Sequence, residues 1–244
     1  MEKNRLDKIL VSKGIVSSTS KAQALIITGK VLVNEKKIVK SGTKFSSNIK
    51  IRIIKKEHDW VSRGGIKLSY ALKFFNYYPN EQVCIDIGAS TGGFTEVLIK
   101  NNAKLVYAID VGKGQLSWRL YKNDKVKVLD KTNIRSLFLK DIDNRVTFIT
   151  CDLSFISITK ALLNIVKEKK KTLSLIALIK PQFELSREKI GKNGVVVNEN
   201  FRREAIDRVV TWFKSFNWTV SEAIESPIKG AKGNVEFFIL CKNF

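Results

Sequence analysis

Six charged side chains stand where an element begins or ends, and two of them are lysines. Asp86 lies near the end of the apolar run VCIDI, Asp110 closes KLVYAID, Asp152 follows VTFITC, and Lys180 closes LSLIALIK before Pro181 stops the strand. Glu236 opens the last strand, and Lys67 lies in the first turn of a helix read from SRGGIKLSYALKFF. In an open α/β sheet, ligands sit beyond the carboxyl ends of the parallel strands. A final antiparallel strand starts at that same edge, as does the helix leading into the first strand. All six residues are therefore predicted to converge on one rim. A lysine with a depressed pKa accepts a proton, and a charged one holds a developing oxyanion. The 2′-hydroxyl of a ribose is a weak nucleophile that needs one or the other. Asp152 and Glu236 would orient the lysines and the hydroxyl. The competing reading is a set of structural ion pairs. For Lys67 it is an exposed surface lysine, since a cation in a first turn opposes the helix macrodipole.

The stretch VCIDIGASTGGF, residues 83–94, positions this rim. A buried strand runs into Gly88, and Gly92-Gly93 precede a helix, so backbone can approach a nucleotide-like ligand beside free helix N–H groups. GASTGGFT nearly fits the phosphate loop G-x-x-x-x-G-K-[ST], but Phe94 occupies the lysine position and the main counter-charge for phosphates is missing. The dinucleotide pattern G-x-G-x-x-G also fails, at Ser90. Asp110 follows the loop at about the ~20-residue distance of a ribose-binding acid, or else caps a helix beginning near Gly114. Loop and acid point to a ribose-bearing cofactor. They leave S-adenosylmethionine and a nicotinamide dinucleotide both open.

The elements behind this rim alternate. Strands are predicted at 83–87, 105–110, 126–129, 146–151, 173–180, 218–224 and 235–241. Helices are predicted at 94–101, 114–121, 157–168 and 200–216, with a short piece near 134–139. Alternation of this kind gives a mostly parallel sheet covered on both faces. The short turn GAKGN, residues 230–234, brings the last strand back antiparallel. The expected fold is thus α/β and Rossmann-like, seven strands with the last reversed, preceded by a small α+β domain. The boundaries read as 1–58, a linker at 59–62, and 63–244. His58, the one histidine, is read as a linker residue rather than a general base.

Composition bounds the partners. The net charge is +21 over 244 residues. Residues 1–60 carry 14 Lys/Arg against 5 Asp/Glu, a positive density more than double that of the remainder. Such an excess implies a polyanion, nucleic acid ahead of anionic membrane. No apolar run approaches a membrane span, and the N-terminus MEKNRLDKIL lacks a secretory apolar region. Cys84, Cys151 and Cys241 are isolated within apolar runs, as buried free thiols of a reducing cytoplasm would be.

The first sixty residues show two short helices, 5–13 and one beginning at a Ser20 cap and ending near Gly29. A hairpin around Asn34-Glu35 and a strand at 49–54 follow. RLDKIL, SSTSKAQALI, GKVLVNEKKI and IKIRI resemble the S-four RNA-binding module named after a ribosomal protein. That resemblance implies RNA binding, with Arg5, Lys8, Lys13, Lys21 and Lys30, and Arg63 beyond the module, as candidate phosphate contacts. The module offers Phe45 as its one aromatic before Trp60, which favours structured RNA over unstructured single strands.

From VSRGGIKL through DIGASTGGFT, AIDVGKGQL, VLDKTNIR, CDLSFIS, LIKPQFE, GKNGVV and SPIKGAKGNVEFF, the chain resembles the TlyA family of rRNA 2′-O-methyltransferases. Those join an S-four module to an FtsJ-like catalytic domain, and the similarity covers nearly the whole chain. It implies a Lys-Asp-Lys-Glu tetrad at Lys67, Asp152, Lys180 and Glu236. It implies an S-adenosylmethionine loop of Asp86, Gly88, Ala89, Ser90, Thr91, Gly92, Gly93 and Phe94, with Asp110 and Asp130 beside ribose and adenine. The implied substrate is a cytidine ribose in ribosomal RNA. No metal is expected, because the methyl donor carries its own leaving group. The rival readings are a non-catalytic rRNA-binding assembly factor, an NAD-dependent enzyme, and the membrane-active haemolysin after which some members are named.

Overall fold

The computed structural model describes residues 3–54, 58–168 and 172–243. The chain divides into two compact units, Met1–Asp59 and Trp60–Phe244.

In the first unit, β1 (Lys3–Arg5) leads into α1 (Leu6–Ser12) and α2 (Thr19–Ile27). Next come β2 (Val31–Val33), β3 (Lys36–Ile38), β4 (Lys44–Ser46) and β5 (Ile51–Ile53). Leu6, Leu10, Ala22, Ile26, Val31 and Val33 form its core. The cap of α2 is Ser18, not Ser20: the chain is extended at Ser18, whose hydroxyl accepts the Lys21 N–H at 3.3 Å. The hairpin turns as expected at Asn34 and Glu35, both left-handed (φ 48° and 62°), the backbone of a two-residue I′ turn. Pairing of β1 with β4 was not visible in the sequence; both strands are three residues long and mostly polar.

The second unit opens with α3 (Gly64–Phe74), then β6 (Val83–Ile87), α4 (Gly93–Lys100), β7 (Leu105–Ile109), α5 (Trp118–Tyr121) and β8 (Val126–Leu129). It continues with β9 (Val146–Cys151), α6 (Ile158–Ala161), α7 (Leu163–Lys167), β10 (Leu173–Ile179), α8 (Pro181–Glu184) and α9 (Glu199–Lys214). The short strands β11 (Thr219–Val220) and β12 (Ile224–Glu225) precede β13 (Phe237–Asn243). The sheet runs β11-β13-β10-β9-β6-β7-β8, with β12 also on β13. Strands β10, β9, β6, β7 and β8 pair in parallel, while β13 is antiparallel to β10. Alternate residues of the central strands feed two cores. Ile85 and Ile149 face α6, α7 and α9, whereas Cys84 and Phe148 face α3 and α4. The chain winds outward from β6 through β7 to β8, then crosses back to β9. The crevice between β6 and β9 is therefore the point where strand order reverses.

Three elements differ from expectation. The predicted strand 218–224 is split, because the Ser221 hydroxyl accepts the Leu240 N–H at 3.0 Å in place of a strand carbonyl. The sheet therefore counts eight strands rather than seven. The predicted helix 157–168 is interrupted at Leu162 (φ −96°, ψ 9°). The predicted helix 114–121 is reduced to α5, since Gly114 is left-handed (φ 64°) and Ser117 is extended. Trp60, Val61 and Ser62, expected as linker, belong to the second unit: Trp60 lies against the α3–α4 core and the Val61 N–H donates to Glu96 at 2.6 Å. No helix among the described residues is long and apolar enough to cross a membrane.

Candidate active site

Glycines bring the starts of α3 and α4 together. A Cβ on Gly65 would lie 2.3 Å from the Trp60 ring, and one on Gly93 would lie 2.2 Å from Ser62 Oγ. Only backbone without side chains lets the two helix starts meet this closely. Lys67, one turn into α3, is thereby carried to the carboxyl edge of the sheet. Its ammonium donates to Glu236 Oε2 at 2.5 Å, and both side chains are buried. Lys67 is thus neither exposed nor unpaired. Glu236 is the last residue before β13, and its other oxygen leaves room for no side chain at Gly230, whose added Cβ would lie 2.3 Å away.

The second pair lies on the adjoining strands. Lys180 follows β10 and starts the turn into α8, where Pro181 takes the first helical position. Its Nζ is 2.6 Å from Asp152 Oδ1 and donates to Ser154 Oγ at 2.9 Å. The Asp152 contact is a charge contact without hydrogen-bond alignment, so Oδ1 remains a buried acceptor with no directed donor. Gln182 Oε1 is a second such acceptor. The Asp152 N–H donates to the Ile87 carbonyl at 2.9 Å, which ties β9's end to β6's end.

Three cavities meet at these pairs. One of about 340 Å³ is walled by Gly88, Ser90, Asp110, Gln115, Asp152 and Phe155, among others. A second of about 410 Å³ is walled by Arg63, Lys67, Ala89, Thr91, Phe94 and Asp152. A third, also about 410 Å³, is walled by Lys67, Phe155, Lys180, Gln182, Phe183 and Glu236. Lys67 and Asp152 each border two of the three. A larger hollow of about 660 Å³ runs along α9 and contains none of these groups.

The glycine-rich loop is held from below. Gly88 is left-handed (φ 81°), and a Cβ there would lie 2.4 Å from the Asp152 carbonyl oxygen. Ser90 is also left-handed (φ 46°), and its N–H donates to Asp110 Oδ2 at 2.8 Å. The other Asp110 oxygen accepts the Gly112 N–H at 2.8 Å. Asp130 accepts the Gly114 N–H at 2.8 Å and Gly92 turns the chain into α4; neither borders the cavities. Asp86 does not border them either. It is fully buried, accepting from Thr95 Oγ1 at 2.6 Å and Thr150 Oγ1 at 3.1 Å, and burial pushes its pKa up to about 7. Its place is beneath the loop, joining β6, α4 and β9.

Of the candidate phosphate contacts, Lys8 and Lys13 are exposed, Lys30 is half-buried, and Lys21 donates to Ser17 Oγ. Arg5 is committed: its guanidinium donates twice to buried Asp7 and, with the Gln23 amide and the Lys8 N–H, holds that carboxyl down to about 2. Arg63 donates to the Lys229 carbonyl at 2.6 Å across the mouth of the Lys67 cavity.

Three residues that build the site, two of them cavity walls, were not singled out from the sequence. Phe155 is 90% exposed with φ 68°, a conformation that a bulky residue rarely adopts, and its ring lies 5.3 Å from that of Phe183. Glu184 is buried, accepting from Ser157 Oγ at 2.6 Å and the Ile158 N–H at 2.8 Å, and so fastens α8 to the segment after Asp152. Asn234 accepts the Val196 N–H and donates to the Gly194 carbonyl, which fixes the opposite wall. Each of these acts through a partner distant in sequence, which local pattern does not reveal.

Residues 60–244, the whole second unit, match the FtsJ-like methyltransferase family, and residues 4–48 match the S4 domain. The chain belongs to the FtsJ-like methyltransferase family. Among curated relatives, the 16S/23S rRNA (cytidine-2'-O)-methyltransferase TlyA of Mycobacterium tuberculosis is 38% identical over 96% of this chain and 88% of its own. Hemolysin A of Brachyspira hyodysenteriae is 37% identical over 96% of this chain and 97% of its own. A solved structure of a candidate hemolysin from Streptococcus thermophilus covers 100% of this chain and 89% of its own, with a TM-score of 0.73 at 35% identity.

Proposed function

We propose that this FtsJ-like chain transfers a methyl group from S-adenosylmethionine to a ribose 2′-hydroxyl of ribosomal RNA, with cytidine as the nucleoside. The observation that carries the reading is the paired tetrad. Two lysine–carboxylate pairs, Lys67–Glu236 and Lys180–Asp152, stand where three cavities join at the reversal point of the sheet. The M. tuberculosis relative carries this activity in its name.

The residues present fit the cofactor. Gly88 and Ser90 border the same cavity as Asp110, and each Asp110 oxygen accepts a single N–H, which leaves lone pairs for ribose hydroxyls. Ala89, Ser90, Thr91, Gly93 and Phe94 would line the remainder, with Asp86 and Gly92 supporting the loop and Asp130 holding the turn at Gly114. Once bound, S-adenosylmethionine supplies an electrophilic methyl group and a neutral thioether leaving group. Lys180 faces the substrate hydroxyl, either taking its proton or holding the developing oxyanion with its ammonium. Asp152 and Ser154 fix the position of Nζ. Lys67, anchored by Glu236, holds the ribose or its phosphate.

The test is transfer of a labelled methyl group from S-adenosylmethionine to ribosomal subunits lacking the modification, followed by alkaline hydrolysis. Label retained in alkali-resistant dinucleotides is expected, because a methylated 2′-oxygen cannot attack its phosphate. The Lys180→Ala variant should lose transfer by at least about 10²-fold while RNA affinity stays near wild type. Label in mononucleotides would mean base methylation and overturn the roles given to the tetrad. Absence of incorporation with RNA binding intact would instead favour a non-catalytic assembly factor.

A further inference from the structure

Trp118 and Tyr121 lie on α5, whose preceding residue Ser117 is bonded to the glycine-rich loop at Thr91, and they are oddly placed for aromatic residues. Trp118 is 70% exposed and Tyr121 54%. Their rings are stacked, 5.6 Å apart and 8° from parallel, and Lys122 Nζ sits 4.8 Å from the Trp118 ring centre. The remainder of the segment is firmly seated. The Ser117 N–H donates to the Thr91 carbonyl, Leu116 and Leu120 pack against Gly92, and Arg119 pairs with buried Glu96. The fold therefore fixes the helix through other side chains and leaves both aromatic rings mostly exposed. Lys113, Lys122 and Lys125 are exposed on the same segment. A π surface with one lysine against it and further exposed lysines on the same segment suits a partner that has both bases and phosphates. An apolar protein surface would leave these lysines unpaired.

We propose that Trp118 and Tyr121 form a stacking platform for unpaired bases of the RNA substrate, placed beside the cofactor loop. This rests on the RNA-methylating function, and it supplies the aromatic platform that the first unit lacks.

The test measures binding of the full-length protein to an RNA hairpin with an unpaired loop and to the matching uninterrupted duplex. Three proteins are compared: wild type, Trp118→Leu/Tyr121→Leu, and Trp118→Phe/Tyr121→Phe. The leucine pair keeps apolar bulk without a π face. It should lose roughly 5- to 100-fold in affinity for the loop RNA and stay within about twofold for the duplex. The phenylalanine pair should remain near wild type for both. S-adenosylmethionine titration of each variant checks that the fold is intact. Unchanged loop affinity in the leucine pair would overturn the platform, as would equal losses in both variants or equal losses on loop and duplex. Absence of RNA binding by wild type would overturn the RNA reading itself. Selective loop binding without methyl transfer would leave the platform standing and overturn only the catalytic reading.

Discussion

Asp86 shows how one residue can stand beside a site without touching it. Its carboxyl is enclosed between β6, β9 and α4 with two threonine hydroxyls as partners, and burial raises its pKa from 3.8 to about 7. Between those two values the folded protein binds a proton that the unfolded chain has released. The stability contributed by the neutral carboxyl is therefore complete below about pH 4 and is lost as pH rises through about 7. Asp86→Asn removes this dependence and can keep both threonine contacts, one hydroxyl still donating to the amide oxygen and the other turning to accept from the amide N–H. All four tryptophans lie at or beyond Trp60, so their fluorescence reports the second unit alone. Urea titrations should give similar midpoints for both proteins near about pH 4, with the variant becoming the more stable one by about pH 8. The full difference is on the order of 4 kcal/mol; parallel pH profiles would show that Asp86 does not titrate in this range. The sequence could place Asp86 at a strand end, as it did Asp110, Asp152 and Lys180. Which of these reach a cavity depends on the pleat, and Thr95 and Thr150, which hold Asp86, come from separate elements. Phe155 escaped notice for a related reason: its exposure follows from a left-handed backbone that has no local marker.

At the scale of elements, the close approach of the ends of β6 and β9 depends on Gly88. Gly88→Ala would strain a left-handed backbone and drive a methyl group into the Asp152 carbonyl, which cannot move without shifting the Lys180 partner. Gly14 has a similar φ of 69° but nothing within 4 Å of an added Cβ. Gly14→Ala should therefore cost only the backbone term, about 1 kcal/mol, and leave methyl transfer near wild type. Gly88→Ala should cost roughly 2–4 kcal/mol and weaken S-adenosylmethionine binding by calorimetry. Equal behaviour of the two variants would show that the close approach at Gly88 is not required. The strands 83–87, 126–129 and 146–151 were legible to the residue because apolar, β-branched runs end at glycine or an acid. The order of those strands, the hydroxyl that interrupts 218–224, and the break at Leu162 are settled by tertiary pairing, which a linear pattern does not carry.

Across the whole molecule, two kinds of affinity for RNA should separate under salt. The charge of +21 is weighted toward the first sixty residues, and cations on phosphates bind by releasing counterions. If six to ten phosphates are contacted, affinity should fall roughly 10³- to 10⁵-fold between about 50 and about 200 mM salt, linearly on logarithmic axes. Stacking on Trp118 and Tyr121 displaces few ions, so it belongs to the intercept of that line rather than its slope. The leucine pair should lower the intercept extrapolated to high salt and leave the slope unchanged. Neutralising Lys8 and Lys13, which are exposed and unlike Arg5 make no ion pair among the described residues, should do the reverse and flatten the slope by about one per lost phosphate contact. A slope insensitive to those lysines would move the electrostatic contact away from the first unit, and an intercept insensitive to the aromatic pair would leave no stacking for α5 to provide.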